Sequence, residues 1–129
     1  MKAMHRDELH QSIRRESLAL LISHIRDKSN PIEATFPWRK GWEHTLHHSL
    51  RVEACAEEIL GDAHGITPAE RYLVSAACLV HDIGKLDVRS GHARKGAEII
   101  SEYIAAGRLP LVSEGIDLSR LLMIVENHS

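Results

Sequence analysis

Apolar positions return at helical intervals along the first thirty residues, with charged residues between them. In "RDELHQSIRRESLALLISHIRDK" (6–28), Leu9, Ile13, Leu20, Leu21 and Ile25 fall on one side of a helix; a period near 3.6 residues marks an amphipathic helix. The pattern breaks over "SNPIEATFPWRKG" (29–41), where Asn-Pro, Phe-Pro and Gly predict a connecting loop. It resumes from Trp42 to Leu60 through Leu46, Leu50, Ala54 and Ile59, and "GDAHG" (61–65) ends this second helix. "TPAE" (67–70) opens a third: Thr67 suits the N-cap, Pro68 the first helical position, and Glu70 completes a capping box. That helix runs through Leu73, Val74, Ala77 and Val80 and ends near His81. A fourth fits 92–106 and stops at Gly107, and a fifth fits 117–128 with Asp117 as its cap. No segment alternates as a strand does. The expected fold is all-α, a compact bundle of about five or more helices. It forms one domain over 1–129, with an N-terminal helix and loop (1–41) leading into a core at 42–128.

Composition narrows the function classes. A chain of 129 residues can bury a real core, and aromatics at 4% make that core aliphatic. Sixteen Lys and Arg against eighteen Asp and Glu leave a net charge of −2, so nothing in the charge balance favours nucleic acid. The apolar stretch "LVSAACLV" (73–80) is far too short for a bilayer, and the N-terminus has no signal-type apolar region. A soluble cytoplasmic protein is expected, and oligomers are compatible with the sequence. Cys55 and Cys78 lack CxxC spacing and read as free, buried, small hydrophobes of a reducing compartment. Histidine is the outlier, with ten copies. His5, His10, His24 and His64 read as surface residues; the others need an account.

That account centres on "ACLVHDIGKLD" (77–87), where a buried helix closes on an adjacent His81-Asp82 pair with Lys85 three residues on. Neighbouring side chains diverge by about 100° on a regular helix, but they can converge where the backbone leaves helical geometry. Gly84 suits such a change. An imidazole and a carboxylate together fit a divalent cation, and two carboxylate oxygens let Asp82 bridge a pair. Lys85 would then stand near an anionic substrate. By itself the dipeptide reads rather as a helix C-terminus with a turn-forming Asp. Further histidines change the balance. "WEHTLHHSLRVEACA" carries His44, His47 and His48, with His44 and His48 on one face. His92 opens the fourth helix and His128 closes the fifth.

Taken in order, these segments resemble the HD superfamily of metal-dependent phosphohydrolases, in its HDIG form, over roughly residues 42–128. "HSLRV" (48–52) is similar to the family's first-ligand helix, and "LVHDIGKLD" (79–87) to its signature. "GHARKGAEII" (91–100) and "IVENHS" (124–129) are similar to the segments that supply further histidines in two-metal members. The resemblance implies an all-α core and a metal site of His48, His81, Asp82, His92 and His128, with Asp82 in the bridging place. It implies that Lys85 contacts phosphate, so Asp82 and Lys85 are the catalytic candidates. Arg51 is then a structural or supporting charge, and His44 lines the rim. The cofactor implied is one or two divalent cations from the set Fe, Mn, Zn, Ni and Mg. The substrate implied is a small phosphate ester, such as a nucleotide or cyclic nucleotide. The family pattern also carries a later Asp that no residue here matches, which leads to the expectation that this chain is a truncated piece of a longer protein. Two other readings stay open: a diiron oxygenase of the same superfamily, and a non-catalytic sensing or scaffolding domain.

Overall fold

A computed structural model describes residues 6–28, 42–61, 63–88 and 90–128. Its elements are α1 (Arg6–Lys28), α2 (Trp42–Gly61), α3 (Pro68–Val80), a 3₁₀ turn (Ile83–Leu86), α4 (His92–Ala105), α5 (Pro110–Gly115) and α6 (Leu118–Glu126). The fold is an all-α bundle, with no strand among the described residues. The expected loop at 29–41 and His5 lie outside the described residues.

The third helix sits at the centre, packed against α1, α2, α5 and α6. It starts as its sequence dictates. The Thr67 hydroxyl accepts from the Glu70 amide at 3.1 Å, and the Glu70 carboxylate accepts from the Thr67 amide at 3.0 Å. Leu73, Ala76, Ala77, Leu79 and Val80 of this helix are buried, joined by Ile13, Leu20, Leu21 and Ile25 of α1. Ile99 and Ile100 of α4 and Leu121 and Val125 of α6 complete the aliphatic core. Each fully buried side chain of this size contributes about 2 kcal/mol of hydrophobic free energy.

The expected apolar stripe of α2 differs from the observed one. Ile59 is 71% exposed and Ala54 is also exposed, while Leu46 and Leu50 are half-buried. The face turned inward carries Thr45, Ser49 and Glu53. This reversal follows from an ion pair across the bundle. The Arg14 guanidinium of α1 grips both Glu53 oxygens, with Nη2 donating to Oε1 at 2.6 Å. A bidentate charged pair offsets part of the desolvation that an inward polar stripe costs.

The short helix α5 has no counterpart among the expected elements. Its first amides are capped from afar: Leu111 and Val112 donate to the Glu16 carboxylate of α1 at 3.0 and 2.9 Å. Two surface expectations also need correction. His24 is buried, and His10 is largely so, with its Nε2 2.8 Å from the Ser75 hydroxyl. His64 is exposed as expected. Both cysteines are free, but Cys55 is exposed and Cys78 half-buried, because Cys55 lies on the outward side of a helix whose inner face is polar.

Candidate metal centre

The site forms where α3 gives way to the 3₁₀ turn. His81 still has helical dihedrals (φ −59°, ψ −32°), whereas Asp82 has left them (φ −104°, ψ 15°). That departure brings the two adjacent side chains together. Asp82 is buried, with a side chain only 4% exposed, and all five cationic or imidazole groups of the site surround it.

Its two oxygens face different partners. Oδ2 lies 3.5 Å from His48 Nε2, 3.2 Å from His81 Nε2 and 3.3 Å from Lys85 Nζ. Oδ1 lies 3.0 Å from His128 Nε2 and 3.7 Å from His92 Nε2. Two groups of three therefore share one carboxylate: His48, His81 and Asp82, and Asp82, His92 and His128. Within each group the candidate ligand atoms all lie within 4.8 Å of one another. Every sequence-selected histidine converges here, each from a different place in the fold: α2, the end of α3, the start of α4 and the end of α6. The rings form a continuous arc, with centroids 5.3 Å apart for His48 and His81, 5.1 Å for His81 and His128, and 5.3 Å for His92 and His128. His44 extends it, stacked on His48 at 5.9 Å with planes 7° apart. His47 and Arg51 are exposed.

The donor set can be tested for a cation. His81 Nδ1 lies 2.7 Å from the Cys78 carbonyl, and His128 Nδ1 lies 2.6 Å from the Val125 carbonyl. A carbonyl only accepts, so both Nδ1 atoms carry protons. In the neutral ring Nε2 then holds a lone pair, and each lone pair faces an Asp82 oxygen at 3.2 or 3.0 Å. Acceptor facing acceptor in a buried site is unfavourable unless a cation lies between them. Protonating every ring would instead gather four like charges around one carboxylate. Divalent cations resolve both difficulties, and backbone-anchored imidazoles are the arrangement metal sites use. The residues fit a metal.

The charge states are coupled accordingly. With no cation bound, burial works to raise the Asp82 carboxyl, but donation from a protonated His81 and the charges of His81 and Lys85 prevail and hold it far below the usual carboxylate range. Burial works to lower His81, and the Asp82 and Cys78 hydrogen bonds outweigh it, so this imidazole is raised. Burial lowers His48 and His92, with the charges of Lys85 and His81 adding to it against the attraction of Asp82. Lowered imidazoles keep the neutral, metal-binding form at more acidic pH.

Gly84 serves a different end from the one expected of it. It does not have positive φ; that conformation belongs to Gly65, Gly91 and Gly107. Instead the 3₁₀ turn rests directly on the first turn of α4. A Cβ on Gly84 would overlap the His92 carbonyl oxygen and lie 2.7 Å from the Gly96 amide nitrogen. Close backbone approach, not turn geometry, requires glycine here.

The family model of the HD domain matches residues 45–129. The chain belongs to the HD domain family. The match covers α2 from its second turn onward and includes every residue of the centre, from His48 to His128. HD domains are generally metal-dependent phosphohydrolases, so the clusters around Asp82 stand in a family for which divalent cations are the expected ligands. No curated protein and no solved structure matches the chain. No helix among the described residues is long and apolar enough to cross a membrane.

Sequence reasoning passed over two groups that bear on this centre, His24 with Asp87 and Arg14 with Glu53. Glu53 had a signal: it follows Thr45 and Ser49 at intervals of four, a polar stripe with helical period. His24 had none, because its partner Asp87 lies 63 residues away.

Proposed function

We propose that this HD domain hydrolyses a small phosphate ester, nucleotide-like in character, with one or two divalent cations held around Asp82. His48, His81 and Asp82 would hold one cation, and Asp82, His92 and His128 would hold a second. The observation that carries this reading is the shared carboxylate, whose two oxygens address two separate imidazole pairs. Bound there, such cations supply Lewis acidity toward phosphoryl oxygens and lower the pKa of water.

The protein's own groups prepare the reaction. The Nδ1–H groups of His81 and His128, anchored on backbone carbonyls, fix the rings so that Nε2 faces inward. His44 stacks on His48 and limits rotation of the most exposed ring of the set. Lys85 is half-exposed while its Nζ remains 3.3 Å from Asp82 Oδ2. Lys85 and His48 are the most exposed of the side chains around Asp82, so the Lys85 ammonium is available to a phosphoryl group at the cluster, where it offsets charge that builds on the phosphoryl oxygens. Two free thiols agree with a cytoplasmic setting.

The test is metal analysis of the purified protein followed by a panel of nucleotides, cyclic nucleotides and simple phosphate esters. Wild type is expected to bind metal and hydrolyse part of the panel, and Asp82→Ala to lose both. Full metal content in Asp82→Ala would sink the assignment. Iron-dependent oxygen consumption without phosphatase activity would select the oxygenase chemistry instead. Absence of metal binding would leave a sensing or scaffolding domain.

A further inference from the structure

The 3₁₀ turn that carries Lys85 is a single turn, a conformation with little intrinsic stability. One end, Asp82, lies in the histidine cluster. The other, Asp87, closes the turn through its amide, which donates to the Gly84 carbonyl at 3.1 Å. Asp87 is also held from outside the signature. His24 Nε2 of α1 lies 2.6 Å from Asp87 Oδ1; the His24 side chain is buried and that of Asp87 is 12% exposed. Because the carboxylate accepts, Nε2 donates, and the other ring nitrogen meets the Tyr103 hydroxyl of α4 at 3.1 Å. The Tyr103 ring stands edge-on to His24, with centroids 5.9 Å apart, and the Arg108 guanidinium lies 4.8 Å from its centre.

We propose that His24 is a positioning residue for the HD site, acting through Asp87 to hold the turn that presents Lys85 and Asp82. The clamp joins three elements, α1, α4 and the exit of the turn. Gly84 is seated on α4 and the Ile83 and Leu86 side chains are buried in the core, and His24 adds a polar hold where the turn ends at Asp87. The hydrogen-bond partners of His24 are Asp87 and Tyr103 rather than residues of the cluster. Its effect reaches the chemistry through the backbone between residues 82 and 87, where a displacement of an ångström moves an ammonium relative to a phosphoryl group. The inference rests on the phosphohydrolase reading for its activity arm, and only on metal binding by the Asp82 cluster for its spectroscopic arm.

The experiment compares His24→Asn with His24→Gln. The Gln amide nitrogen reaches about as far as Nε2 and keeps a donor for Asp87, whereas the Asn amide reaches only as far as Nδ1. Ile25→Ala, a neighbouring core truncation, serves as the stability control. With bis(p-nitrophenyl) phosphate and p-nitrophenyl phosphate as substrates, His24→Asn is expected to lower kcat by about 10- to 100-fold with little change in KM, and His24→Gln to restore it. Equal losses in Asn and Gln would overturn the proposal, as would an equal loss in Ile25→Ala at matched Tm. Co2+ absorption is read in parallel. If the wild type binds Co2+ yet hydrolyses neither ester, the phosphohydrolase reading loses its support and the spectrum decides the clamp. A band shifted in His24→Asn and restored in His24→Gln supports it; identical bands in all variants overturn it. Should His24→Asn fail to fold, Asp87→Ala, which removes the acceptor, is compared with Ile25→Ala instead: a kcat loss or a Co2+ band shift confined to Asp87→Ala supports the clamp, and none overturns it.

Discussion

Gly84 and the His92 carbonyl meet so closely that no side chain fits between them. The contact seats the signature turn on the first turn of α4, and it brings Asp82 within reach of His92. Gly84→Ala must push these backbones apart. A loss of about 3 kcal/mol is expected in urea unfolding, at the upper end for overpacking. Gly91→Ala is the comparison: its φ of 71° is unfavourable for alanine, but the space is open, so about 1 kcal/mol is expected. Similar losses in the two variants would contradict the steric account.

Asp82 serves both groups of three, while each histidine serves one. Metal stoichiometry should therefore split by variant. His48→Ala or His128→Ala is expected to remove one equivalent of metal and leave the other weakened, and Asp82→Asn to remove both. Elemental analysis after desalting measures this. Two equivalents retained in Asp82→Asn would show that the carboxylate does not bridge.

Arg14 and Glu53 set which face of α2 turns inward, and that choice directs His48 toward Asp82. Glu53 is only 2% exposed on its side chain, so Arg14→Ala leaves a buried carboxylate without its main partner. The expected cost is about 3 kcal/mol of stability. Because α2 carries His48, metal affinity at the His48 side should fall as well. Denaturant titration and metal titration of the same variant test both effects, and unchanged values in both would dismiss this role.

Burial raises the Cys78 thiol to about 11, with the charges of Glu53 and Glu57 adding to it. The thiolate is the reactive form, so at pH 8 an alkylating reagent should modify exposed Cys55 quickly and Cys78 slowly. The sign for stability follows. A thiol raised on folding contributes stability below its unfolded value, near 8.5, and that contribution is lost as pH rises through about 11. Mass spectrometry of labelled peptides against pH reads the order, and rapid modification of Cys78 at pH 8 in the folded protein would contradict it.

Sequence alone determined a great deal here. The helical class, the bounds of α1, α3 and α4 within a residue or two, and the Thr67 and Asp117 caps all follow from local periodicity and short-range hydrogen bonding. The order and spacing of the histidines pointed to a metal centre, and the resemblance to the HD superfamily picked out which of them converge on Asp82. Tertiary structure decided what depends on partners distant along the chain. Glu16 caps α5 from 95 residues away. His24 is buried because Asp87 and Tyr103 meet it from other elements. Glu53 turns inward because Arg14 is there to pair with it. Gly84 is needed for an approach between backbones, which no local pattern records. For the three polar residues the reason is shared. Periodicity reports which side of a helix can be buried, whereas a buried polar group is tolerated only where the fold delivers its partner.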